Sequence, residues 1–166
     1  MMEEKNHIMS DAHVDIKVRD FARQVVEEFG EERMYACFEC GQCAACCPVH
    51  RVNAEFSPRK IIHMVLLGMM DEVLDSRVIW LCSTCYTCQE TCPQGIKVTD
   101  LIIAIRNMAY ERGSFPDGIK MQADLISAEG RLYSLDEFDQ KKRQKANLPP
   151  VLSRVEEAVK LLEDRK

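Results

Sequence analysis

The chain has 166 residues, 46% hydrophobic and 30% charged, with a formal net charge of −5; this excludes wholesale disorder and fits one globular domain with arms. Its longest apolar runs, "IIHMVLLGMM" (61–70) and "LIIAI" (101–105), fall short of the roughly 18–20 residues of a membrane span, so direct membrane insertion is not expected. The acidic balance argues against nucleic acid as a partner, and the polar start "MMEEKNHIMSDAHVD" has no apolar signal region, so the expected location is cytoplasmic.

Residues 1–35 read as a helical lead-in. A helix is expected over about 17–29, with Phe21, Val25, Val26 and Phe29 on one side and Gly30 behind it. The run "CFECGQCAACCP" (37–48) follows, and it holds five of the nine cysteines. In a reducing compartment such clustering points to metal or redox chemistry rather than to disulfides.

The stretch between this run and the next cysteine looks helical. In "SPRKIIHMVLLGMMDEVLDS", Ser57 is the expected N-cap and Pro58 the first helical residue. Apolar residues recur at Ile61, Ile62, Val65, Leu66, Met69, Val73 and Leu74, with Gly68 expected to split the segment in two. The second run, "CSTCYTCQETCP" (82–93), leads into "VTDLIIAIRNMAYERG". There Thr99 is the candidate N-cap, Leu101, Ile102, Ile105, Met108 and Ala109 form the stripe, and Gly113 is the candidate stop. Beyond it, "SFPDGIKMQADLISAEG" suggests a short helix, "DEFDQKKRQKANLPP" a charged segment, and "SRVEEAVKLLEDRK" an amphipathic helix on Val155, Val159 and Leu162. The basic "KKRQK" within that segment reads as a solvated face. Residues 36–112 form the expected core and 113–166 an arm, either folded back on the core or docking a partner.

The two runs superimpose at an offset of 45 residues, and both read C-x2-C-x2-C-x3-C-P. This is the bacterial ferredoxin-type spacing for 4Fe–4S cubanes. A cubane presents four iron corners, each taking one thiolate. Cysteines three apart in a tight turn supply three sulfurs to one side, and the fourth comes from elsewhere. In two-cluster proteins the last cysteine of each run ligates the other cluster. One cluster is therefore expected on Cys37, Cys40, Cys43 and Cys92, and the second on Cys82, Cys85, Cys88 and Cys47. Cys46 aligns with Thr91 and has no place in the pattern, so it reads as a small bystander or, alternatively, a spare ligand or redox-active thiol. Structural zinc is the competing use of CxxC pairs, but it explains neither the third cysteine nor the proline. With both cubanes saturated, His50 is not expected as a ligand. His63 is expected to be structural, and Trp80 and Tyr86 either shield a cluster or simply pack.

No G-x-G-x-x-G, P-loop or nucleophile–base pair is visible, so the chain reads as an electron conduit without substrate chemistry of its own. Two C-x2-C-x2-C-x3-C-P runs around a helical insert resemble the all-α, α-helical ferredoxin class. "CFECGQCAACCP", with Gly41 after the second cysteine, and "CSTCYTCQETCP" are similar to the motifs of the heterodisulfide reductase C-subunit family, a likeness that covers roughly residues 20–112. The resemblance implies a dicluster core with helical extensions at both ends. It also implies a cytoplasmic complex in which two 4Fe–4S clusters relay electrons, with a flavin-bearing, iron–sulfur-rich A subunit on one side and a disulfide-reducing B subunit on the other. The succinate dehydrogenase iron–sulfur subunit shares the helical domain, but it should carry a C-x4-C-x2-C run upstream, and no cysteine precedes Cys37. The alternative is a free-standing diffusible ferredoxin with the same clusters.

Overall fold

A proline or a serine starts three of the helical elements around the cysteine runs, at Pro48, at Ser57–Pro58 and at Ser76. The structure, a computed structural model, describes residues 12–30 and 32–163, so expectations for 1–11 and for the end of the last helix lie outside the described residues. The chain divides into two compact units, 1–115 and 116–166. Both are helical, and no strand occurs among the described residues. None of their helices is long and apolar enough to cross a membrane.

In the first unit α1 spans Ala12–Phe29, five residues longer at its start than the apolar pattern of 17–29 suggests. It buries Phe21, Ala22 and Val25 and packs on α4 and α7, defined below. A 3-10 turn, Glu32–Ala36, follows and buries Met34 before the first cysteine run. That run contains α2, Gln42–Ala45. Pro48 then opens α3, Pro48–Val52, because a ring-fixed φ and a missing N–H are both compatible with a first helical turn.

Ser57 caps α4, Pro58–Leu66, by accepting a bond from Lys60 N at 3.4 Å, with Pro58 in the first turn. Gly68, at φ +72°, supplies the left-handed residue that ends α4 and lets α5, Met70–Leu74, leave in a new direction. A second 3-10 turn, Arg77–Leu81, is capped by Ser76 and leads into the second run, which contains α6, Thr87–Glu90.

The helix α7, Val98–Glu111, departs from expectation at its start. Its N-cap is Lys97, and Thr99 lies inside the first turn with its side chain buried. Thr99 therefore caps nothing, and its hydroxyl meets a cysteine instead. At the other end Gly113 (φ +83°) donates to Tyr110 O at 2.9 Å and Ser114 N to Ala109 O at 2.8 Å, the paired closure of a Schellman motif.

One apolar cluster fills this unit. Ile62 and Val65 of α4, Val73 of α5, Ile79 of the second 3-10 turn and Leu101, Ile102 and Ile105 of α7 are all at most 1% exposed. Fully burying each such side chain is worth about 1.5–3 kcal/mol.

In the second unit α8 spans Asp117–Glu129, α9 Glu137–Lys145 and α10 Glu156–Glu163. Asp136 caps α9 by accepting from Asp139 N at 2.8 Å. Val159 is buried where α10 meets α8. Gly130 makes that approach possible, since at φ +67° an added Cβ would lie 2.6 Å from Val155 O. Arg143 ties the end of α9 to Pro149 O at 3.0–3.1 Å, and Gln140 holds Val151.

Leu101→Ala removes a side chain that is fully buried and lines neither cysteine cavity. It should cost about 2–5 kcal/mol, read as a lower anaerobic urea midpoint at unchanged iron content. Met121→Ala, on an exposed position of the second unit, should stay within about 0.5 kcal/mol.

Candidate metal centres

The two cysteine runs adopt one backbone course twice. Between the first and second cysteines Glu39 (φ +58°) and Thr84 (φ +52°) are left-handed, and after the second so are Gly41 (φ +82°) and Tyr86 (φ +62°). A left-handed residue on each side of the second cysteine reverses the chain tightly enough for three sulfurs to face one way. Glycine takes this conformation freely, whereas Tyr86 carries a cost of about 1–2 kcal/mol that its surroundings must offset. A single turn of helix follows in each case, with matching bonds from Ala44 N to Gly41 O and from Gln89 N to Tyr86 O, both 3.0 Å. Exposure matches too: Cys40 and Cys85 are exposed, and Cys43 and Cys88 are buried.

Two cavities gather eight of the nine cysteines, four to each. Cys37, Cys40, Cys43 and Cys92 line the first, together with Arg59, Ile62, Ile96 and Val98. Cys82, Cys85, Cys88 and Cys47 line the second, together with Phe56, Thr99 and Ile102. Each quartet takes three cysteines from one run and the last cysteine of the other. α2 and α6, one from each run, pack together between them.

Four soft donors around an otherwise largely apolar cavity suit the four corners of a cubane. Among the described residues no three His, Cys, Asp or Glu side chains gather tightly enough to hold a single ion. Burial, reinforced by the neighbouring thiols of Cys88 and Cys37, pushes Cys43 up to about 12. Burial also raises Cys88, against the opposing Thr99 hydroxyl. Such sulfurs stay protonated without a compensating cation, so iron must displace their protons, and loading is coupled to the closing of these loops. Exposed Cys85 is held below the usual thiol range by hydrogen bonds from Thr87.

Cys46 lines neither cavity. Its sulfur lies 3.2 Å from the hydroxyl of Thr91, which in turn donates to Thr87 O at 2.9 Å. The two residues that occupy equivalent places in the repeat thus touch each other, as residues on a local twofold axis must. His50 lines neither cavity; its ring meets Phe56 O at 2.7 Å, and its backbone N–H lies 3.4 Å from the Cys47 sulfur. His63 pairs with Glu39 on the rim of the first cavity. Neither Trp80 nor Tyr86 lines a cavity.

Sequence reasoning missed Arg106. From α7 its guanidinium donates to Ile79 O at 3.0 Å and Cys82 O at 2.7 Å, and it lies 5.6 Å from the centroid of the Trp80 ring. Trp80 therefore supports a cation. Burial lowers the Arg106 pKa and the Cys82 thiol opposes this, yet an arginine stays charged. The one available signal was a charge directly after Ile105 in an apolar stripe.

Comparison with known proteins agrees with this geometry. The model of the 4Fe-4S dicluster domain matches residues 15–96, which include both cysteine runs. The chain is 31% identical to the iron-sulfur C subunit of the CoB–CoM heterodisulfide reductase of Methanopyrus kandleri, over 96% of this chain and 86% of that one. It is 41% identical to the C2 subunit of the H(2)/formate:CoB-CoM heterodisulfide,ferredoxin reductase of Methanococcus maripaludis, over 68% of this chain and 60% of that one. It is 36% identical to the C 2 iron-sulfur subunit of the CoB–CoM heterodisulfide reductase of Methanocaldococcus jannaschii, over 79% and 73% respectively. The chain belongs to the heterodisulfide reductase C-subunit family, whose 4Fe-4S dicluster domain makes it an electron-transfer subunit with two 4Fe–4S clusters.

Proposed function

We propose that this chain is the electron relay of a cytoplasmic heterodisulfide reductase-like complex, with a flavin-bearing, iron–sulfur-rich A subunit on one side and a disulfide-reducing B subunit on the other. The observation that carries the reading is the pair of four-cysteine cavities. The names of the relatives, each a C-type subunit, support it. When bound, the clusters supply one-electron exchange without bond-breaking chemistry.

The chain's own residues do the rest. Cys37, Cys40, Cys43 and Cys92 hold one cluster, and Cys82, Cys85, Cys88 and Cys47 hold the other. Ile62, Ile96 and Val98 wall the first site, and Phe56 and Ile102 the second, which limits water beside the sulfurs. Cys40 and Cys85 are exposed, so each site has a sulfur at the surface facing a docked neighbour. Residues 36–112 are the cluster-bearing core and 1–35 its lead-in. Residues 113–166 are the docking arm, a role supported by the exposure of Met121, Phe138, Leu152 and Leu161 on 116–166.

The ligand partition is tested by iron counts on anaerobically prepared protein. Wild type should hold about eight iron, Cys46→Ala about eight, and Cys47→Ala about four; equal losses from Cys46→Ala and Cys47→Ala would overturn the partition.

Purification from the native source should bring the A and B subunits with the chain, whereas a lone species would point to a free ferredoxin. Eight thiolates and two oxidised cubane cores take the formal charge from −5 to about −9. Raising the salt should therefore slow electron delivery from the partner, measured by stopped flow, because screening weakens the encounter.

A further inference from the structure

The repeat makes the two sites alike in backbone and in the burial of their first three cysteines, although Cys47 at the second site is buried and Cys92 at the first only half-buried; the polar residues that break the repeat are the further source of a difference between their potentials. Every position of the two runs other than the four aligned cysteines and the proline differs, but few of these residues bear on sulfur. In the first run the position of Thr87 is filled by Gln42, and in the first cavity the place that Thr99 takes in the second is filled by Arg59.

The hydroxyls at the second site bear on sulfur. Thr99 Oγ1 lies 3.4 Å from Cys88 Sγ and is itself 1% exposed, with no other bonding partner for its hydroxyl among the described residues. Thr87 Oγ1 lies 3.5 Å from Cys85 Sγ, and the backbone N–H of His50 lies 3.4 Å from Cys47 Sγ. A ligating thiolate has no proton to give, so both hydroxyls become donors to sulfur. Arg106 adds a half-buried positive charge, bonded to the carbonyl of Cys82 at 2.7 Å.

The first site has less. Among the described residues neither Gln42 nor Arg59 makes a side-chain hydrogen bond, and Arg59 is exposed, so water screens its charge. The backbone N–H of Ala44 bears on the Cys43 sulfur.

Reduction adds one negative charge to a site. Donors aimed at its sulfurs and a desolvated cation beside it stabilise that charge, which raises the potential. On the ligand partition proposed above, we infer that Thr87, Thr99 and Arg106 make the Cys47/Cys82/Cys85/Cys88 site the more easily reduced of the two. The downhill path inside the chain then runs one way. One electron leaves the Cys37/Cys40/Cys43/Cys92 site, which is oxidised, and arrives at the other, which is reduced, with no proton moved and no bond made or broken. The first site faces the electron donor and the second faces the acceptor.

The test is an anaerobic potentiometric titration of the full chain with its iron complement, followed by EPR to resolve two midpoints. Thr99→Val, which keeps the shape and loses the hydroxyl, should lower the upper midpoint and leave the lower one in place. Thr99→Ser should restore it, a rescue that a purely packing role for the side chain would not give. Thr87→Val, at the more open rim, should lower the same midpoint, and it decides the matter if Thr99→Val fails to load fully. Unmoved midpoints at full iron, or a shift confined to the lower midpoint, would overturn the inference. Both results leave the relay reading intact, since that reading stands or falls on the subunits that accompany the native chain.

Discussion

Gathering four cysteine sulfurs side by side, some of them buried, and doing so twice in one small unit, is the constraint on which the rest of this structure depends. A lone thiolate in an apolar pocket is costly, and like charges beside it raise the cost, as the upward shift of Cys43 shows. Such an arrangement is stable only when iron neutralises it. Between the cysteines and their cofactor the chain needs very little regular structure. Each run contributes one four-residue helix and two left-handed residues. The longer helices α1, α4 and α7 serve as a frame that fixes where those loops stand.

The crosswise supply of cysteines explains why the unit coheres. Cys47 and Cys92 each leave their own run and join the other's cavity. Neither site can then be completed by one half of the repeat. Cys46 and Thr91 meet at the axis between the halves. The sulfur of Cys46, which lines neither cavity, faces the Thr91 hydroxyl that stands at its place in the other run.

The departures from symmetry carry the specificity. A perfect repeat would give two equal sites and no internal gradient. The hydroxyls of Thr87 and Thr99 and the guanidinium of Arg106 all fall on one side. These are ordinary polar residues, placed where neighbouring elements aim them at sulfur or at the carbonyl of a cysteine.

Much of this was legible in the residues alone. Spacing, prolines and the 45-residue offset were enough for the dicluster motif, because a cubane's geometry acts over a few consecutive residues. Local chemistry likewise sufficed for the Ser57 cap, the break at Gly68 and the stop at Gly113. Thr99 was misread as a cap, because a hydroxyl near a helix start serves a free N–H or a distant sulfur equally well, and only packing decides between them. Beyond a charge set in an apolar stripe, Arg106 gave no signal of its role, since its partners, Ile79 and Cys82, lie 27 and 24 residues away. What the chain encodes by itself is the short-range set of three cysteines and local caps such as Ser57 and Ser76. The tertiary structure decides which distant groups face each sulfur, because hydrogen bonds and electric fields follow distance in space and not separation along the chain.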